Sequence, residues 1–203
     1  MSKAIVIGAG IAGLASALRL KHQGYDVDVF EKNAYTGGKI HATKLADYRF
    51  DLGPSLFTMP HLVNELFELF NKNPKEHFDY IQKKTICNYF WEDGTTFSAS
   101  PDMDKFVKEA SQFFDESERS IRNYLNRSKR KYELTSPVFL EKSLHKGKSF
   151  FNLDTLKALS SAHKLDLNQS LDQVNHKSFS NKKLIQFFNR FATYNGSSPF
   201  KTP

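Results

Sequence analysis

The sequence predicts an α/β fold that opens with a dinucleotide-binding strand–helix–strand unit and continues as a hairpin followed by helices. Three observations carry this. Residues 3–8 read KAIVIG, an apolar run of strand length that ends in glycine; such a run suits a strand buried on both faces of a parallel sheet. GAGIAG at residues 8–13 then matches G-x-G-x-x-G, directly after the strand and directly before a helical pattern, the context that turns a weak motif into a strong one. From Met103 onward the apolar spacing becomes helical.

The elements follow in order. Residues 11–23 predict a helix with Ile11, Leu14, Ala15 and Leu18 on one apolar face and Gly24 where a C-terminal cap belongs. Residues 25–30 predict a second strand with Val27 and Val29 on one side, completing a right-handed βαβ unit. The loop TGGK, residues 36–39, precedes a hairpin with KIHAT and YRFDL as its arms. DLGPSLFTMP reads as a loop, with Thr58 as the cap of the next helix and Pro60 in its first turn. That helix carries Leu62, Val63, Leu66, Phe67, Leu69 and Phe70 as an amphipathic stripe. The ordinary reading of such a stripe is a core face; a partner or a membrane is the other. NYFWEDGTTFSAS, residues 88–100, reads as a hairpin turning at Asp93-Gly94. FVKEASQFF, SIRNYLNRSKRKYEL, LDTLKALSSAHKL and KLIQFFNRFATY read as helices. A dinucleotide-binding sheet usually has at least about four parallel strands. Two are placed here, so the others are expected either to be missing or to come from sequence beyond Pro203.

Composition narrows the function classes. Hydrophobic residues make up 39% and charged residues 25% of the 203, which fits a folded core rather than disorder. The 19 Phe fill a core or line an apolar tunnel; composition does not separate the two. The formal net charge is +7, but no nucleic-acid-reading motif accompanies it, so no nucleic acid partner is expected. The dense run from Arg127 to Lys131 reads as a solvated helix face. Cys87 is alone, which excludes an internal disulfide framework and a cysteine-rich zinc site. With no signal-peptide pattern and no spanning stretch, the expected location is cytoplasmic, with the basic charge permitting peripheral contact with an anionic membrane surface.

The chemistry concentrates near the N-terminus. Gly8 permits a tight turn, Gly10 lets backbone approach a pyrophosphate, and Gly13 lets helix and strand pack closely. The helix start, with Ile11 and Ala12, offers free N–H groups and a partial positive charge to phosphate. Glu31 ends the second strand eighteen residues after Gly13, and Lys32 follows it. A carboxylate there accepts ribose hydroxyls and repels a 2′-phosphate, which disfavours NADP. FAD and NAD both remain open at this point. Gly37 and Gly38 allow close backbone approach and Lys39 adds a cation, which tilts the choice towards FAD. No Ser-His-Asp or paired-carboxylate constellation is visible. His61, His145 and His163 are scattered and read as structural or solvated. Arg190, beside Phe187, Phe188 and Phe191, is a candidate for a substrate region or a surface helix arginine.

AIVIGAGIAGLASALRL, VDVFEKNAYTGGKI and YRFDLGPSLFTMP resemble the flavin-containing amine oxidase and phytoene desaturase superfamily. GPSLFTMP, NYFWEDGT, VFLEKSLHKG and RFATYNGSSPFKTP look most like its bacterial carotenoid desaturases. The resemblance implies that Gly37, Gly38 and Lys39 contact the FAD pyrophosphate and that Gly53, Pro54 and Ser55 pass near the flavin. Many members carry arginine where this chain has Lys39, which keeps the charge without the planar fork. The fold implied is a partial Rossmann-like FAD-binding βαβ unit over residues 1–72 and an α+β portion of a substrate domain over residues 73–203. The function implied is FAD-dependent dehydrogenation of C–C bonds in a hydrophobic polyene such as phytoene or a hydroxylated carotenoid. The family pattern includes a C-terminal half not found here, so an N-terminal piece, inactive when isolated, is expected. An amine-oxidase or protoporphyrinogen-oxidase-like flavoprotein is the alternative on the same scaffold, and an inactive truncated dinucleotide-binding fragment is another. No catalytic residue and no metal site is assigned.

Overall fold

A computed structural model describes residues 1–54, 56–140, 145, 147 and 153–203, with the backbone alone of residues 154 and 163. Ser55, and part of the VFLEKSLHKG segment, lie outside the described residues. The chain divides into two compact units, Met1–Ile81 and Gln82–Pro203.

The first unit begins as expected. β1 (Lys3–Ile7), α1 (Ile11–His22) and β2 (Asp26–Phe30) form the βαβ unit, with β1 and β2 parallel and Lys3 opposite Asp26 through Ile7 opposite Phe30. α1 ends where Gly24 takes a φ of +90°, which a side chain would resist. Its expected apolar face is only partly covered. Ala17 is buried and Leu14 and Ala15 are half-buried, but Ile11 and Leu18 are exposed. A two-stranded ribbon is too narrow to cover the whole helix face.

β3 (Ala42–Leu45) and β4 (Tyr48–Asp51) form the antiparallel hairpin, with Leu45 opposite Tyr48. The first arm begins three residues later than KIHAT predicts, because residues 37–40 are used in a turn closed by Ile40 N–H donating to the Gly37 carbonyl at 3.1 Å. α2 (His61–Glu68) follows, then the short α3 (Pro74–His77). Thr58 does not cap α2. Met59 takes a φ of +54° and Pro60 occupies the cap position with no side-chain hydrogen bond. The α2 stripe behaves as a packing face: Val63, Leu66, Phe67, Leu69 and Phe70 are half-buried. Phe70 meets His22 of α1 edge-on at 6.0 Å.

The second unit holds the core. β5 (Cys87–Phe90) and β6 (Thr96–Ala99) pair antiparallel around Gly94, as the Asp93-Gly94 signal predicts. α4 (Met103–Phe114) is capped by Asp102, and α5 (Glu118–Phe139) by Ser117. α5 runs past the expected end at Leu134, through Pro137, because Val138 is buried against the rest of the unit. α6 (Leu153–Ser160) and a 3-10 turn (Ala162–Lys164) share the next predicted helical stretch. α7 (Leu171–Ser178) was not predicted; α8 (Lys182–Asn189) was, and it continues into a 3-10 turn (Arg190–Asn195). Phe97, Phe106, Phe114, Phe187 and Phe188 pack together with Val107, Ala110, Ile121 and Leu184. Phe97, Phe106, Phe114, Phe179, Phe187 and Phe188 are buried in this core, while Phe90, Phe113, Phe139, Phe191 and Phe200 are exposed. In the Arg127 to Lys131 run, residues 127–130 are exposed, as a solvated face requires, while Arg127 and half-buried Lys131 also pair with Asp166 and Lys129 with Glu133.

Candidate dinucleotide site

Three separate stretches of the first unit meet at the start of α1. β1 is tied to β2 through the Gly8 N–H, which donates to the Phe30 carbonyl at 2.7 Å. The chain then turns at Gly8, φ +100°, into α1. Gly13 is the tightest point: a Cβ there would lie 1.9 Å from the Gly8 carbonyl oxygen and 3.5 Å from the Val6 side chain. The GAGIAG spacing is thus set by helix–strand contact as well as by the turn. Gly10 caps α1 without a side-chain hydrogen bond, and Leu14 is the first residue to donate back, to the Gly10 carbonyl at 2.9 Å. The N–H groups of Ile11, Ala12 and Gly13 precede that first helical bond and are left for an acceptor outside the helix. Ile11 and Ala12 are exposed.

The second stretch, residues 37–39, docks on the first. The Gly37 N–H donates to the Ala9 carbonyl at 2.8 Å, and Gly10 bridges Gly37 in parallel fashion. A Cβ on Gly38 would approach the Gly10 Cα at 3.1 Å, so two glycine backbones touch where side chains would hold them apart. Lys39 is exposed beside this contact. The third stretch joins through Gly53, where a Cβ would lie 2.2 Å from the Lys39 carbonyl oxygen. The Leu52 N–H donates to the His41 carbonyl at 2.8 Å alongside it. Pro54 follows, exposed; Ser55 lies outside the described residues.

Glu31 closes the cluster. Its Oε2 accepts the Ala9 N–H at 2.7 Å, and its Oε1 accepts the Asn33 N–H at 2.8 Å and the Asn33 Nδ2 at 2.9 Å. The Asn33 and Ala9 backbone hydrogen bonds lower its pKa, so the carboxylate is ionised at neutral pH. Oε2 holds one partner among the described residues and keeps a lone pair for a hydroxyl. Lys32 is exposed next to it. Sequence reasoning placed Glu31 at the strand end but missed the bond to Ala9, which reaches across twenty-two residues. His61 and His145 are exposed, in keeping with a solvated role. No group of three or more His, Cys, Asp or Glu able to hold a metal occurs among the described residues, and none of the described helices is long and apolar enough to cross a membrane.

The βαβ turn, the glycine-to-glycine docking and the ionised strand-end carboxylate together define a dinucleotide-binding protein of the α/β class. The chain matches the family described as flavin containing amine oxidoreductase over residues 11–200, and it belongs to that family. Its members are flavin containing, so the dinucleotide is FAD. The chain is 59% identical, over its whole length, to a 1-hydroxycarotenoid 3,4-desaturase of Flavobacterium sp. strain P99-3, of which it covers 41%. It is 32% identical over 98% of its length to a 4,4′-diaponeurosporene oxygenase of Staphylococcus aureus strain MRSA252, covering 40% of that protein. A 4,4′-diapolycopene oxygenase of Methylomonas sp. is 31% identical over 99% of the chain, again with 40% of the relative covered. The chain therefore spans about two fifths of the length of the curated relatives it matches. A solved oxidoreductase from Methanosarcina mazei superposes over the whole chain with a TM-score of 0.53 at 18% identity, which speaks for the fold alone.

The residues present fit this cofactor. Free N–H groups at a helix start, a second loop packed glycine to glycine beside it and an ionised carboxylate with a spare lone pair are the complements of a pyrophosphate and a ribose.

Proposed function

We propose that this chain supplies the front of the FAD site and part of the substrate domain of an oxidoreductase that dehydrogenates C–C bonds of a carotenoid precursor, phytoene or a hydroxylated carotenoid. The observation that carries it is the meeting of Gly10, Gly38 and Gly53 in one backbone cluster, in a chain 59% identical to a hydroxycarotenoid desaturase. In this reading residues 1–72 belong to the FAD-binding domain and residues 73–203 to the substrate domain.

Each residue then has a role. The N–H groups of Ile11, Ala12 and Gly13 face the pyrophosphate, and Gly8 and Gly10 keep that approach open. Glu31 holds the ribose hydroxyls, and its charge rejects a 2′-phosphate. Gly37 and Gly38 bring the second loop against the phosphates, while Lys32 and Lys39 offset their charge. Gly53 and Pro54 carry the chain towards the flavin; Ser55, which the resemblance places with them, lies outside the described residues. When bound, FAD accepts the two hydrogens that the substrate loses across a C–C single bond. The protein's share is to bind, orient and exclude water.

A long polyene is insoluble in water and has to be drawn from a membrane. In this reading the protein is cytoplasmic, and its net charge of +7 supports peripheral contact with an anionic membrane surface. Flotation of the full-length protein with anionic vesicles checks this: absence from the vesicle fraction would count against it.

The activity test is anaerobic. Full-length holoenzyme is mixed in turn with phytoene, a hydroxylated carotenoid and simple amines, and bleaching of the flavin band is followed. Bleaching by a carotenoid is expected. Bleaching by amines alone would replace this reading with an amine-oxidase one.

A further inference from the structure

The second unit contains an apolar cavity of about 300 Å³, at the small end of the ~300–1,000 Å³ range of small-molecule sites. Tyr89 of β5, Met103 and Phe106 of α4, and Phe187, Phe188 and Phe191 build much of its wall. The cation among its described lining residues is Arg190.

Arg190 is half-buried, and it makes no ion pair among the described residues. Its guanidinium carbon lies 5.1 Å from the ring centre of Tyr89, 5.4 Å from Phe191 and 5.3 Å from Tyr194. Nε donates to the Tyr89 hydroxyl at 2.9 Å and an Nη donates to the Tyr194 hydroxyl at 3.4 Å. Burial pushes the Tyr89 pKa up, against the pull of Arg190, so the phenol keeps its proton. A guanidinium has five N–H donors, and two are engaged here by tyrosine oxygens. Tyr89 accepts from Arg190, which leaves its own O–H proton to donate elsewhere. An apolar hollow with unspent donors at one edge fits a molecule that is apolar along its length and carries an uncharged oxygen near its end.

We propose that Arg190 and Tyr89 form the hydroxyl-reading end of the substrate cavity and set preference for a polyene bearing a terminal hydroxyl over the same skeleton without one. This rests on the desaturase function proposed above. A hydroxyl accepts from the guanidinium or from Tyr89 and can donate in turn. A hydrocarbon end strips water from these donors and returns nothing, which is the costly arrangement. Arg190 and Tyr89 are specificity residues here; they take no part in the hydrogen transfer itself.

The test uses full-length FAD-loaded enzyme and two substrates, a 1-hydroxycarotenoid and its non-hydroxylated counterpart. kcat/KM for each is measured in wild type, Arg190→Met, Arg190→Lys and Tyr89→Phe. The expected result is a wild-type preference for the hydroxylated substrate that falls about 10- to 100-fold in Arg190→Met, through KM. Arg190→Met also removes donors that a hydrocarbon end must desolvate, so kcat/KM for the hydrocarbon should rise. Arg190→Lys should recover part of the preference, since it keeps a charge and donors but loses the fork. Tyr89→Phe keeps the ring that packs the guanidinium and should lose preference without losing fold. An equal loss for both substrates would assign Arg190 a packing role and overturn the proposal. So would a preference that survives both Arg190→Met and Tyr89→Phe. A wild type that turns over both substrates equally overturns the specificity assignment alone. A wild type reduced by neither takes the desaturase function down as well.

Discussion

Glu31 is the residue on which the cofactor geometry turns. It is pinned by Ala9 and Asn33, so it serves two ends: it fixes the loop after β1 and presents an oxygen outward. Glu31→Gln leaves one acceptor oxygen where there were two and removes the charge. Full-length Glu31→Gln is expected to bind FAD about 10-fold more weakly, by flavin fluorescence titration, with the second unit unaffected. Asp93 makes a different residue-scale prediction. Hydrogen bonds from Lys183 and Thr95 lower its pKa to about 2, below the ordinary value for aspartate. A carboxylate shifted down stabilises the fold above its unfolded pKa and loses that contribution as pH falls through the folded one. The Asp93 contribution is thus constant at neutral pH and lost between about pH 4 and 2. Thermal midpoints measured across that window should fall more steeply in wild type than in Asp93→Asn. Parallel curves would show that the hairpin turn draws nothing from Lys183.

At the scale of elements, the βα turn tolerates least. Gly13→Ala places a methyl carbon 1.9 Å from the Gly8 carbonyl oxygen, so β1 and α1 must separate. Full-length Gly13→Ala is expected to lose flavin absorbance, while in residues 1–203 carrying the same change the fluorescence of Trp91, the one tryptophan there, stays as in wild type. That residue is anchored in the other unit by its indole N–H, which donates to Gln186 at 2.9 Å. The βαβ unit was legible because its signals are local: an apolar run, three glycines at fixed spacing and a carboxylate at the strand end. The hairpin at Asp93-Gly94 was legible for the same reason. α7 was not, since a fully buried position on it is Asn175, whose Nδ2 donates to the Asn189 Oδ1 at 2.8 Å, and a buried asparagine hides the apolar period. Ser170 and Gln173 do form a capping box there, an S-x-x-Q signal that could have marked its start. Thr58 misled in the opposite direction. It has a capping side chain, but the left-handed turn at Met59 delivers Pro60 to the cap position instead. The Arg190–Tyr89 bond spans 101 residues, and only the packing of α8 on the β5–β6 hairpin brings it about.

On the scale of the whole molecule the two units differ in how completely they are covered. The second has its own interior, with Val107, Ile121 and Leu184 fully buried among phenylalanines. The first has a two-stranded parallel sheet whose apolar side chains look outward: Ile7 is 89% exposed and Phe30 59%. Parallel sheets are stable when both faces are covered, and an uncovered apolar strand with open edges invites association. Two fifths of a relative's length supplies two of the strands such a sheet needs. Residues 1–203 expressed alone should therefore behave as two unequal parts. The second unit should melt cooperatively, reported by Trp91. The first should bind an apolar dye, associate at raised concentration and take up FAD weakly and below one equivalent. Equilibrium dialysis against FAD decides the matter, because tight stoichiometric binding by residues 1–203 would mean that the Gly10–Gly38–Gly53 cluster holds its geometry without further strands beside β1 and β2.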